Sequence, residues 1–198
     1  SASVYRYERL GELMTNNYPL TPTKIAAILR DRRGLNNKDI GNGHEKAVNQ
    51  LIAHHSIIFQ PDSLRVWVST NPWQLGEYVC YDLNKIFQTQ GLQEDKAISI
   101  DSLNIAADSF LYSTGYKNFV IFRKNKLALL AGGTVDTGAV TNSNPQYYDA
   151  YRIAGDYCQK NDWYTAAVNY YEKALTLDIA TVDEQKAIEE KIAIVKKK

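Results

Sequence analysis

Three short runs with a period of two, set close together between Leu51 and Phe87, constrain this chain more than any other feature. Leu64, Val66 and Val68 alternate with Arg65, Trp67 and Ser69, the spacing that puts one set on each face of a pleated strand. Before them, Leu51 to Phe59 reads as a strand ending at Gln60-Pro61-Asp62-Ser63, where Pro and Asp favour a type I turn. After them, Asn71-Pro72 interrupts the pattern and Gly76 to Asp82 reads as a third strand. Links this short cannot carry a parallel crossover, so the segment predicts an antiparallel meander. Asp82 to Phe87 then reads as a turn or a single helical turn.

Helical spacing flanks the strands. Tyr5 to Asn17 places Leu10, Leu13 and Met14 on one stripe, with Gly11 as a weak point and Pro19 as the end. Thr21 can cap a second helix, with Pro22 in the first turn where its missing N–H is not needed. Ile25, Ile28 and Leu29 form that helix's stripe, Gly34 suits its stop, and Leu35 to Gly43 reads as a polar loop. Asp95 to Leu103 fits neither period. Ala106 to Leu130 predicts a long helix, with Phe110, Leu111, Tyr116, Phe119, Val120 and Phe122 as contacts and Gly115 as a break point. Residues 131–145 (AGGTVDTGAVTNSNP) have the composition of a linker.

Beyond the linker, Tyr151, Ala154, Gly155 and Cys158 fall on one helix and Ala167, Tyr171 and Ala174 on the next, with Asn161-Asp162 between them. Small residues where two helices touch, and large ones around them, describe a tight hairpin. Its spacing resembles a tetratricopeptide repeat, departing from it at Ala154, at Cys158 and in lacking a closing Pro. A third helix, about Asp183 to Lys197, would cap the pair. One repeat with a cap is too little to stand alone, so it should lean on the main domain or pair with another copy. The expected division is therefore an α+β domain over 1–130, a linker over 131–145 and a helical hairpin with its cap over 146–198. If Tyr148, Tyr151 and Tyr170 line an open groove, the tail is a docking surface for a protein partner; if they are buried, it is a brace.

Charge and motifs narrow the chemistry. The 23 basic residues nearly cancel the 22 acidic ones, which gives no signature of nucleic-acid binding. The Lys196–Lys198 run reads as a solvated helix end. No apolar run approaches the roughly 18 residues a membrane span needs. Cys80 and Cys158 lie in different units and read as two buried thiols. Asp136-Thr137-Gly138 matches the aspartic-protease triplet, but its setting in a linker favours a loop over a paired carboxylate. His44-Glu45 lacks the second His of a zinc motif, since Val48 stands in its place, and adjacent His54 and His55 on a strand would face opposite ways. No metal site and no cofactor motif is read.

One resemblance gives these elements a context. His55-Ser56-Ile57-Ile58-Phe59, Leu64-Arg65-Val66-Trp67-Val68-Ser69 and Gly76-Glu77-Tyr78-Val79, with Arg6-Tyr7-Glu8-Arg9-Leu10 and Leu29-Arg30-Asp31 before them, resemble the C-terminal part of the acyl-coenzyme A:6-aminopenicillanic acid acyltransferases. These are autoproteolytic relatives of the choloylglycine and penicillin V hydrolases, and the resemblance covers roughly residues 3–125. It implies that the sheet belongs to a four-layer αββα sandwich. It implies that the nucleophile is a self-exposed N-terminal Cys, with its own α-amino group as base, in an upstream portion of the same polypeptide. No catalytic residue then lies in this chain, which alone should be inert. The substrate would be a small acyl amide or acyl thioester. Ser1 is followed by a helix pattern and not by a strand, so it is not read as the nucleophile. Ser3 and Arg6 lie near the family's pocket positions, and Arg6 or Arg9 would position a substrate carboxylate. The alternative from another class is a non-enzymatic binding module that docks through its helical tail.

Overall fold

The period-two segment forms an antiparallel meander in the computed structural model, which describes residues 1–88 and 97–198. Strands β1 (Ile57–Gln60), β2 (Arg65–Ser69) and β3 (Tyr78–Asp82) pair in the order β1-β2-β3. Ile58 stands opposite Trp67, and Trp67 opposite Cys80. The first strand is shorter than its sequence suggests. Leu51 sits at φ 54° with its N–H bonded to the Asn49 side chain at 2.9 Å, and this left-handed residue keeps 51–56 irregular. A single 3-10 turn, Pro61–Ser63, joins β1 to β2. Single bridges from Ser99 and Ile105 cover the far edge of β3. Leu83–Gln88 is a short helix, α3. In the ambiguous 95–103 segment, Asp101–Leu103 is a 3-10 turn, while Asp95 and Lys96 lie outside the described residues.

Helix α1 spans Ala2–Asn17, but its buried residue is not apolar. Met14 is 48% exposed, whereas Arg9 is 1% exposed. Of the expected stripe, Leu10 and Leu13 are half-buried and Met14 is exposed; the deepest contact is a guanidinium, because its partners lie on that side. Helix α2 (Pro22–Leu29) starts as expected, with Thr21 Oγ1 accepting from the Lys24 N–H at 3.3 Å. It stops at Leu29, ahead of Gly34.

The long helix expected over 106–130 divides into a 3-10 turn, Ser109–Tyr112, and α4, Thr114–Leu130. Gly115 lies in the first turn of α4 and does not break it. The expected linker 131–145 contains helix α5, Thr137–Ser143. Asp136 caps it by accepting from the Gly138 N–H at 2.8 Å, and Val140 is fully buried. The Thr141 and Ser143 hydroxyls donate to the carbonyls of Thr137 and Val140 at 3.1 and 2.8 Å. Its polar residues thus satisfy themselves locally, so a loop-like composition folds as a buried helix.

The tail forms the expected hairpin, α6 (Tyr148–Lys160) and α7 (Tyr164–Leu175), followed by α8 (Val182–Val195) packed on α7. Gly155 is required where the two helices meet, since a Cβ there would lie 2.5 Å from the Tyr171 ring. Two clusters make the core. The smaller packs α2 on one face of the sheet, through Ala26, Ile58, Trp67, Tyr78, Cys80 and Ile105. The larger joins the tail to Leu51, Leu75, Phe119 and Phe122, so residues 146–198 share a core with the preceding elements. The chain is thus a mixed helix and antiparallel-sheet fold. Among the described residues no helix is long and apolar enough to cross a membrane.

Candidate functional site

The three residues expected to face a substrate all lie on α1, where the structure gives them different surroundings. Ser3 is exposed and accepts a hydrogen bond from Arg6 Nη2 at 3.1 Å. Arg6 Nη1 also donates to the carbonyl of Glu45. Arg9 points elsewhere. Its Nε and Nη2 hold Asp31 bidentately at 3.0 and 2.9 Å, Nη2 also reaches Asn37 at 2.7 Å, and Nη1 reaches Glu12 at 2.9 Å. With its donors engaged and its surface covered, Arg9 fastens α1 to the 31–37 loop. Ser3 and Arg6 form one small group, and Arg9 forms another.

Arg6 leads to a polar seam where the 38–49 segment meets the tail. His44 is fully buried there. Its Nδ1 accepts from the Lys46 N–H at 3.0 Å and its Nε2 donates to the Asp178 carbonyl at 2.8 Å. These two bonds select the neutral Nε2–H tautomer, and burial lowers its pKa below the ordinary histidine value. Both nitrogens are occupied, so this imidazole is placed to hold the seam and not to move a proton. Asp178 binds Lys38 at 2.5 Å and Lys46 at 3.1 Å. Burial and these two ammonium groups oppose each other at its carboxyl, and the net direction is down. Tyr147 donates to Glu45 Oε1 at 2.9 Å and Tyr148 to Glu184 at 2.8 Å. Burial raises the Glu45 pKa, and its Oε2 has no hydrogen-bond partner. Alongside lies a cavity of about 390 Å³ between α1 and the start of α8, bordered by Tyr5, Glu8, Lys46, Thr181 and Gln185.

The sheet offers a different kind of surface. Its α2-facing side carries Ile58, Trp67, Ser69, Tyr78 and Cys80, all buried. The opposite side carries Ile57, Phe59, Val66, Val68, Val79 and Tyr81, none of them buried. Phe59 is 66% exposed and Ile57 44%. Period-two alternation normally puts polar residues on a solvent face; here both faces are apolar, and among the described residues the second is only partly covered, with Val66, Val68, Val79 and Tyr81 half-buried. Strand β1 is the outer strand on this side, and no described residue pairs with its free edge.

The remaining candidates take structural places. Cys80 on β3 and Cys158 on α6 are separate buried thiols, and burial pushes both thiol pKa values up, which disfavours the nucleophilic thiolate. His54 and His55 are both exposed on the irregular 51–56 segment, not on opposite faces of a strand. Among the described residues no group of three or more His, Cys, Asp or Glu side chains could hold a metal ion. The seam residues Lys38, Lys46, Tyr147, Asp178 and Glu184 carry no sequence signal. His44 and Asp178 are separated by 134 positions, and no local pattern joins them. No protein-family model, curated protein or solved structure matches this chain.

Proposed function

We propose that this chain is the C-terminal portion of an autoproteolytic N-terminal-nucleophile enzyme acting on an acyl amide or acyl thioester, with the nucleophile in an upstream portion of the polypeptide. The observation that carries this reading is the apolar side of the sheet turned away from α2, where Ile57 and Phe59 are exposed and Val66 and Val68 half-buried. A helix on one side and an apolar side with exposed Ile57 and Phe59 on the other are what one half of an αββα sandwich, whose two sheets pack face to face, would present. The upstream portion would supply the second sheet against Ile57, Phe59, Val66 and Val68. Ser3 and Arg6, on the α1 surface, are the residues left available to a substrate carboxylate. The helices of 146–198 act in this reading as a brace.

The alternative, a docking module using Tyr148, Tyr151 and Tyr170, has less behind it. Tyr148 is 1% exposed and bonded to Glu184, and the Tyr170 hydroxyl donates to Thr137 at 3.1 Å.

Produced with its upstream sequence, the polypeptide is expected to cleave itself in front of a cysteine and to turn over an acyl amide or acyl thioester. Both activities should vanish when that cysteine becomes alanine, and Phe59→Asp should block maturation. Intact mass and amine or thiol release are the readouts. A longer polypeptide that neither processes nor turns over such substrates would refute the proposal. So would turnover by residues 1–198 alone that is lost on substituting one of them.

A further inference from the structure

Helix α4 departs from the charge balance of the chain: it carries Lys117, Arg123, Lys124 and Lys126 and no acidic residue. Its C-terminal half also leaves apolar side chains in water, with Leu127 54% and Leu130 72% exposed. Leu127 borders one groove and Leu130 a second, and Lys126 lines both. One groove, about 170 Å³, is lined by Leu51, Ile52, Phe119, Phe122 and Leu127, with Arg123 at its rim. The other, about 150 Å³, runs along α6 past Leu130, Ile153 and Tyr157 to Lys160. Ile52, 68% exposed, extends the apolar strip beyond the first groove.

The charges around the strip are unequal. Lys126 and Arg152 are committed to Asp149 at 2.6 and 2.5 Å, and Arg152 also holds Asp156 at 2.8 Å. Arg123, Lys124 and Lys160 make no ion pair among the described residues. The surface therefore combines apolar recesses with three cations that have no carboxylate of their own. A flat bilayer would leave both recesses unfilled. A row of side chains spaced along a helix would fill them, and carboxylates flanking that row would meet cations that lack a carboxylate, Arg123 presenting its guanidinium from over the Trp73 ring.

We propose that the two neighbouring grooves along α4 form a docking surface for an acidic amphipathic helix of a partner protein, its large apolar side chains in the grooves and its carboxylates on Arg123, Lys124 and Lys160. This surface lies apart from the sheet face turned away from α2, so it can fail or stand independently of the proposed activity.

The test titrates the full chain into a fluorescein-labelled synthetic 18-residue peptide with Leu at positions i, i+3, i+7 and Glu on both flanks, read by anisotropy. A scrambled peptide of the same composition and vesicles of phosphatidylserine in phosphatidylcholine are the comparison arms. Saturable binding to the patterned peptide is expected. It should weaken about tenfold in Leu127→Asp and about tenfold in the double variant Arg123→Glu, Lys124→Glu, and the double variant should lose most of the salt dependence. All three side chains are exposed, and circular dichroism checks that the variants keep the fold. Equal binding of the scrambled peptide, insensitivity to both variants, no binding up to about 1 mM, or preferential capture by the vesicles would each overturn the proposal.

Discussion

The sheet half and the helical half of this molecule are held together by different physics. In the sheet half the apolar cluster has six buried residues on one side of three strands, which is little area against the entropy of ordering the chain. Buried arginines supplement it. Arg9 gathers Asp31, Asn37 and Glu12, and Arg30 donates to the carbonyls of Gln74 and Gly76 at 3.3 and 2.6 Å while its guanidinium lies over the Tyr78 ring. In the helical half, small residues let helices approach and tyrosines fill what remains, as where Gly155 meets Tyr171. Arginine fasteners carry more of the sheet half, where the apolar cluster is small; in the helical half ion pairs such as Lys126–Asp149 and Arg152–Asp149 are added to a larger, closely packed core.

The largest expected effect comes from removing a fastener. Arg9→Met keeps the volume but leaves Asp31 and Asn37 without their donor; Asp31 is only half-buried and can be partly hydrated, so the loss is about 2–3 kcal/mol, below that for a fully buried pair. Urea unfolding measures it. A loss under about 1 kcal/mol would mean that Arg9 behaves as a surface residue and that the contrast between the halves is wrong.

Next comes overpacking in the other half. Gly155→Ala would drive a Cβ into a Tyr171 ring whose hydroxyl is held by Asp156 at 2.7 Å and Gln159 at 2.8 Å. The ring cannot swing away without losing those bonds, so a loss of about 1–3 kcal/mol is expected. Alanine's better helix propensity, worth about 1 kcal/mol, works against it. A net gain in the thermal midpoint would show that the hairpin is looser than its geometry implies.

The smallest effect lies at the joint between the halves and depends on pH. His44 has a lowered folded pKa, so the unfolded chain binds the proton more readily. Its contribution to stability is fully present above the unfolded value of 6.5 and is lost as pH falls from there toward the folded value, at no more than about 1.4 kcal/mol per pH unit. Lys46, Asp178 and Glu184 surround it. Glu45, whose pKa is raised, works in the opposite sense, losing its contribution as pH rises above 4.5. Both proteins contain Glu45, so comparing wild type with His44→Gln isolates the imidazole. The urea midpoint should fall more for wild type than for His44→Gln between about pH 7 and pH 5.5. Parallel declines would remove His44 as the cause.

What could be read from the sequence follows the range of the interactions. The meander was legible because alternation and Pro-containing turns are local. The start of α2 was legible because Thr21, Pro22 and Lys24 lie within one turn. The hairpin was legible because Ala154, Gly155, Ala167 and Ala174 repeat at helical spacing. Arg9 was not legible as a core residue, since Asp31 is 22 positions away and the neighbouring Leu10, Leu13 and Met14 offered a better local stripe. Helix α5 was hidden by its composition, because hydroxyl-to-carbonyl bonds and one buried valine leave no amphipathic pattern. The seam was hidden by distance. Alternation placed Val66 and Val68 on one side of β2, but only the structure sets Phe59 and Ile57 opposite them and leaves those two exposed.

Asn42 and Asn144 clasp each other, one N–H to side-chain oxygen at 3.0 Å and one side-chain amide to carbonyl at 2.7 Å. Beside them Gly41, at φ +83°, lets two stretches of backbone touch, since a Cβ there would lie 2.5 Å from the Tyr147 Cβ and 2.6 Å from its N. This clasp joins positions 102 apart, straddling the exposed 131–134 stretch that looks like the natural place to divide the chain. A gene cut there would separate the two sides of one closure, so each piece would leave the other's backbone donors and acceptors uncovered. The smallest unit that can be moved intact between proteins therefore includes both sides of the clasp.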